Sequence, residues 1–210
     1  MARASKKIQL RDRVVAAALN IAVREGEASL SMRRVAAEAD CALSSVYRVV
    51  TDRDDLLSAM LDQVAAAMTH PPIQSDPEAE IVAIFMVLRE AIFRNPWAID
   101  ALAANARGSL HVLPLIERIF LALRKHGLKI EQARDVYRAL IAFTFGDVLI
   151  EIAQARGGTS PSHRLSANDL AEFDALNEAM QAKPYGRTAF GENLKRIMRG
   201  SVTIRKDGTL

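Results

Sequence analysis

Ten of the chain's 28 Lys and Arg residues fall within its first 53 positions, at 3, 6, 7, 11, 13, 24, 33, 34, 48 and 53. Six Asp and Glu residues share that stretch, at 12, 25, 27, 38, 40 and 52, for a net charge of +4. The remaining 18 bases and 19 acids leave the rest of the chain at −1. That division suits a head that binds a polyanion, carried on a nearly neutral body, although a merely basic N-terminal tail gives the same arithmetic. Elsewhere the residues that could do chemistry are dispersed. The histidines at 70, 111, 126 and 163 form no i, i+4 pair, so no metal site is expected. Cys41 is the only cysteine; it has no partner for an internal disulfide and reads as a small core residue. Asp100, Glu117, Asp147 and Glu151 do not cluster in sequence with a nucleophile, and neither a Gly-rich phosphate loop nor G-x-S-x-G occurs. No catalytic residue and no cofactor is therefore expected, and a helical enzyme is the least favoured class.

The elements that would position a basic head are helices. Leu10, Val14, Ala17 and Ile21 step along one helical face, and Gly26 follows Arg24-Glu25 as a stop. Ser31 stands as an N-cap before a helix over about 32–39, and a short third helix fits 43–49. Asp52 caps a fourth, with Asp54 and Asp55 in its first turn. Pro71-Pro72 through Pro77 breaks the pattern. Helical patterns resume at about 77–94, 96–106, 111–126, 130–155, 167–182 and 187–199, with Gly127 ending the third of them. Residues 156–163 have loop composition, and Ser166 with Asp169 resembles a capping box. Sustained period-2 alternation is absent, so the fold class is all-α. The expected division is a head over 1–52 and a second helical domain over 53–210. No apolar run is long enough for a membrane span and the N-terminus lacks a secretory h-region, so a cytoplasmic protein is expected.

Three short helices with a tight turn before the third make a helix-turn-helix, whose third helix fits the major groove. Ser44, Ser45 and Arg48 are placed on its exposed face for base or phosphate contact, while Leu43 either touches a thymine methyl or packs. Arg53 opens the fourth helix, where a free backbone N–H and a guanidinium both suit a phosphate.

The run Leu30-Ser31-Met32-Arg33-Arg34-Val35-Ala36-Ala37-Glu38-Ala39-Asp40-Cys41-Ala42-Leu43-Ser44-Ser45-Val46-Tyr47-Arg48, with Leu56-Leu57 following, closely resembles the head of the TetR family of transcriptional regulators. Gly26, Leu30, Ser31, Arg33, Val35, Ala36, Val46, Tyr47, Leu56 and Leu57 hold the family spacing without a gap. Asp40 stands where the family has a turn glycine, which implies a left-handed backbone at some cost. Ala42 replaces the usual capping serine, Val49-Val50 a His/Tyr-Phe pair, and Arg53 a lysine. The resemblance implies that Tyr47 meets a phosphate through its hydroxyl and that Arg33 contacts a base. With Ser31, Leu43, Ser44, Ser45, Arg48 and Arg53, these form the expected surface for double-stranded operator DNA.

Beyond the head, Phe93-Arg94-Asn95-Pro96-Trp97, Leu113-Pro114-Leu115-Ile116-Glu117 and Phe143-Thr144-Phe145-Gly146-Asp147 resemble the tetracycline repressor subgroup. That resemblance implies an inducer cavity lined by Phe85, Met86, Trp97, Phe120 and Phe143, with Asn105, His111 and Glu151 as polar candidates. No histidine occupies 95–106, where the subgroup places a metal-coordinating one, so only a general cavity for a small hydrophobic inducer carries over. The resemblance also implies a homodimer. Its interface would use helices at about 130–155 and 187–199, through Leu140, Thr144, Asp147, Val148, Glu151, Phe190, Leu194 and Ile197. The function expected is a homodimeric regulator, a repressor in the family's habit, released from a palindromic operator by that inducer. The alternatives are a ligand-independent DNA-binding protein and, last, the enzyme.

Overall fold

The computed structural model describes residues 2–103, 109–155, 178 and 187–203. Among them the secondary structure is helical, with no strand. The helices are α1 (Ala2–Glu25), α2 (Met32–Glu38), α3 (Leu43–Val46), α4 (Arg53–Ala66), α5 (Pro77–Arg94), α6 (Trp97–Ala103), α7 (Leu113–Lys125), α8 (Ile130–Ala155) and α9 (Arg187–Thr203). Short 3-10 turns lie at Glu27–Ser29 and Leu110–Val112. The pattern expected over 167–182 and the capping box at Ser166 lie outside the described residues.

Each boundary has a local cause. Gly26 takes φ +84°, a left-handed backbone that a side chain would strain, and α1 stops there. The Oγ of Ser31 accepts from the Arg34 N–H at 3.3 Å, Asp52 accepts from Asp55 N–H at 2.8 Å, and Asp76 from Ala79 N–H at 2.8 Å. Each thereby satisfies a first-turn donor that the helix itself leaves unpaired. Pro77 sits at the start of α5, where its missing N–H costs nothing.

The chain divides into two compact units, Met1–Ala122 and Leu123–Leu210. In the first, Val14, Ala18 and Ile21 of α1, Val35 of α2, Val46 of α3 and Leu56 and Met60 of α4 join one buried cluster. Trp97, Ala98 and Ala101 of α6 belong to the same cluster. The head's core is therefore continuous past residue 52, and the compact unit that contains it ends at Ala122 rather than at the expected boundary. Within this unit the Arg118 side chain, on α7, donates to Glu80 at 2.6 Å and to the Pro71 carbonyl at 2.9 Å. The other Glu80 oxygen accepts from Gln74 N–H at 2.7 Å, so one buried carboxylate pins the proline-rich link after α4.

In the second unit α8 packs on α9. Leu140, Thr144 and Val148 of α8 and Phe190, Leu194 and Met198 of α9 are each 0% exposed. Phe143 stacks on Phe190 with ring centroids 5.4 Å apart. Thr144, buried and polar, turns its hydroxyl to the Leu140 carbonyl at 2.7 Å. Among the described residues, no helix is long and apolar enough to cross a membrane.

Candidate nucleic-acid interface

The helix-turn-helix is set by α2, a turn at Ala39–Ala42, and α3. Ala39 N–H and Cys41 N–H close the end of α2 onto the Val35 and Ala36 carbonyls. Between them Asp40 takes φ +47°, the left-handed conformation expected where the family has glycine. Ala42 starts α3 with no side-chain cap, as its missing hydroxyl requires. Val46, fully buried, anchors α3 to the core, and half-buried Leu43 packs against it.

Anchoring one face leaves the other to solvent. Ser44 and Arg48 are exposed, Ser45 is half-buried, and Tyr47 is 51% exposed. α3 ends at Val46, shorter than the expected 43–49, so Tyr47 and Arg48 lie on the turn that follows. There Arg48 donates to the Ser45 hydroxyl at 3.1 Å, which leaves most of its guanidinium donors outward. Tyr47, with half its surface exposed, is not a core residue. Ser31 is committed as a cap through its lone pair, and its O–H proton remains to donate.

The four arginines flanking this surface divide sharply. Arg34 bonds Glu25 at 2.7 Å, and Arg24 reaches Glu25 at 3.0 Å and Glu38 at 3.4 Å. Arg34 first, then Arg24, holds the Glu25 carboxyl below its usual range. Arg53 pairs with the Glu27 carboxylate, so the guanidinium expected for a phosphate is already engaged by the chain itself. Arg33 is exposed and has no ion pair or side-chain hydrogen bond among the described residues. It is the arginine of α2 left for an outside partner.

Two residues not anticipated from the sequence hold the surface in place. Arg13 of α1 donates to the carbonyls of Ala39 at 2.9 Å and Asp40 at 3.3 Å, and so satisfies the end of α2. Arg11 donates to the Val49 carbonyl at 2.7 Å and to Asp55 at 3.4 Å. Their long reach to backbone carbonyls has no periodic signature in sequence. Only the basic stretch that contains them hinted at a role.

The residues expected for an inducer cavity are spread over both units. Phe85 is fully buried, Met86 and Phe120 are half-buried, and Trp97 is 3% exposed within the cluster shared with the head. The Trp97 indole N–H has no hydrogen-bond partner among the described residues. His111 is at the surface beside Asp62, with Nε2 to Oδ2 at 3.8 Å, which is a place for a surface pair rather than a cavity wall. Phe143 and half-buried Glu151 belong to the second unit, and Asn105 lies outside the described residues. Among the described residues no group of three or more His, Cys, Asp or Glu could hold a metal ion.

The residues expected for the dimer stripe divide by burial. Leu140, Thr144, Asp147, Val148, Phe190 and Leu194 are buried within one subunit, where they form the α8–α9 packing. A side chain already sealed inside its own subunit has no surface left for a second copy. Ile197 and Glu151 are half-buried.

Among curated proteins, an HTH-type transcriptional regulator of Saccharopolyspora erythraea is 27% identical over 149 residues, 70% of this chain and 63% of the relative. The HTH-type transcriptional repressor DrrR1 of Streptomyces coeruleorubidus is 34% identical over 120 residues, 56% of this chain and 44% of that protein. These matches thus span less than two thirds of the relatives' lengths. No protein-family model matches the chain. Among solved structures, the TetR family protein ActR of Streptomyces coelicolor, in complex with actinorhodin, superposes with a TM-score of 0.72 at 26% identity. That superposition covers 93% of this chain and 98% of ActR. The chain is similar to TetR family proteins over nearly its whole length. The part that resembles a TetR head is α1–α3 described above, and the two curated relatives are named as a transcriptional regulator and a transcriptional repressor.

Proposed function

We propose that this chain is a TetR-family DNA-binding transcriptional repressor, active as a homodimer on a palindromic operator and released by a small hydrophobic molecule. The carrying observation is the outward surface of the helix-turn-helix. Ser44, Tyr47 and Arg48 face solvent beside an unpaired Arg33, with buried Val46 and half-buried Leu43 packed on the core behind them. Hydroxyl and guanidinium groups so held match phosphate oxygens and guanine edges without further rearrangement. Arg33 is assigned to a base, and Tyr47 and Ser31 to phosphates. Arg53 would add a phosphate contact only by sharing its guanidinium with Glu27.

The dimer is assigned to the other side of α8. Ala139, Ala142, Leu149, Ile150 and Ala153 are exposed there, with half-buried Gly146 among them, and all lie within one helical arc opposite Leu140, Thr144 and Val148. Leu149 and Ile150 are 50% and 61% exposed, apolar area that burial against a second copy would remove from water. A two-fold axis there makes an isologous contact, and two heads meeting successive major grooves would stand roughly 34–36 Å apart.

The ligand side of the reading is supported by ActR, solved with actinorhodin and with (S)-DNPA at 26% identity to this chain. Phe85, Met86, Trp97 and Phe120, all of the first unit, supply an apolar, adaptable set of side chains for such a molecule. Release then requires only that the ligand prefer the conformation that DNA does not.

The test is a mobility shift with the full chain on DNA from upstream of its own coding sequence, with scrambled duplex as competitor. Specific retention that Arg33→Ala weakens on the operator, while random DNA is bound as before, supports the reading. Equal loss on both duplexes moves Arg33 to the phosphate backbone, and absence of any retention removes the function.

A further inference from the structure

We propose that the start of α1 is a second DNA contact, in which Lys6 and Lys7 grip phosphates flanking the segment met by α3; it rests on the DNA-binding reading above. The head's charge points there. Arg24, Arg34, Arg53 and Arg11 are paired with carboxylates, and Arg13 with backbone carbonyls. Lys6 and Lys7 are exposed, and their side chains have no ion pair or hydrogen bond among the described residues. The head's uncompensated positive charge is therefore shared between Arg33 and Arg48 beside α3 and Lys6 and Lys7 at the start of α1.

Their position on the helix follows from contacts already fixed. Arg11 reaches the Val49 carbonyl just past α3, and Arg13 reaches the turn before it. Lys7 precedes Arg11 by four residues and Lys6 precedes Arg13 by seven, so each continues its partner's helical face, by one turn and by two. The lysines thus extend the side of α1 that grips the helix-turn-helix, about 6 and 10 Å further along the axis. Nothing in α1 explains them as helix builders. Its first turn contains no acid, and cations near the positive end of a helix dipole oppose it. Compact ammonium groups on long stems suit the ionic, sequence-independent grip of a duplex backbone.

The experiment uses the full chain and a Lys6→Ala/Lys7→Ala double variant, on a duplex selected by the wild type from a random-sequence pool. Alanine keeps α1 helical, and an unchanged melting curve confirms it. The slope of log K against log salt is expected to become shallower by about 2–4 in a dimer with two such arms, with affinity at moderate salt falling roughly tenfold or more. Trimming base pairs outside the two half-sites should weaken the wild type and leave the double variant indifferent. Equal salt slopes, or a wild type insensitive to flank length, would overturn the proposal with the DNA-binding reading intact. A wild type that binds no duplex overturns both. Lysine-dependent binding to anionic phospholipid vesicles, without any change on DNA, would assign the lysines to a membrane surface and also overturn it.

Discussion

Arg13 on α1 donates to the carbonyl of Ala39 at 2.9 Å, so the end of α2 is closed by a residue 26 positions earlier in the chain. The bond is charge-assisted and partly buried, and it supplies a donor where a helix otherwise leaves carbonyls unpaired. It converts the α2–α3 turn from a local conformation into one clamped by tertiary structure.

Arg13→Met keeps the aliphatic stem and removes the donor. Its expected cost is about 1–2 kcal/mol in urea unfolding, with a larger proportional loss of operator affinity because the two helices are no longer held in one geometry. Unchanged DNA binding in a destabilised variant would show that the turn holds without the clamp.

A second effect belongs to the turn itself. Asp40 pays for φ +47°, and Ala42 leaves α3 without a side-chain cap. Asp40→Gly should stabilise the chain by about 0.5–1 kcal/mol, and Ala42→Ser by a similar amount through a restored cap. The two changes are near neighbours, so their sum in the double variant is expected to deviate from additivity. Thermal or urea midpoints measure both, and a Gly variant that is less stable would mean that Asp40 makes a contact worth more than the strain.

These two positions also show what was legible. Asp40 and Ser31 act locally, through φ and a bond to an N–H three residues on, so Ser31 was legible as a cap from its place before the helix and Asp40 from the resemblance to the TetR head. Asp52 and Gly127, at φ +99°, are the same kind of signal. The Arg53–Glu27 pair was hidden for the opposite reason, since Glu27 lies 26 residues away and only the folded head brings them together. The start of α7 differs too: helix was expected from 111, but Ser109 Oγ accepts from His111 N–H at 3.0 Å and a 3-10 turn runs to Val112 before Leu113-Pro114. On α8 apolar residues occur on two sides, and periodicity cannot say which side meets α9.

Acid should expose the buried Glu80. Its carboxyl is held below the usual carboxylate range chiefly by the Arg118 hydrogen bond, against the opposing cost of burial, with help from Gln74 N–H. A carboxylate more acidic in the folded chain contributes stability that is complete above its unfolded value, about pH 4.3, and is lost as pH falls through the lower folded value. Glu80→Gln is therefore expected to cost about 1–3 kcal/mol at neutral pH, with the gap to wild type narrowing below about pH 4. Arg118→Met, which strands the buried carboxylate, should cost about 3–5 kcal/mol. Urea midpoints between pH 3 and 7 decide it, and a gap constant over that range would deny Glu80 its role.

The last prediction separates the two sides of α8. Leu194 is 0% exposed inside the α8–α9 packing, so Leu194→Arg buries an unpaired charge and should unfold that unit rather than release a monomer. Leu149 and Ile150 face outward, so Leu149→Arg/Ile150→Arg should leave the helical content and melting of a subunit near wild type while shifting sedimentation to the monomer. Because a monomer carries one head, it should hold a single half-site and lose the full operator by a factor of 100 or more, about 3 kcal/mol or above. If the double arginine variant sediments as a dimer, the outward face of α8 is not the interface. If Leu194→Arg gives a folded monomer, the α8–α9 packing is less essential to the subunit than its complete burial implies.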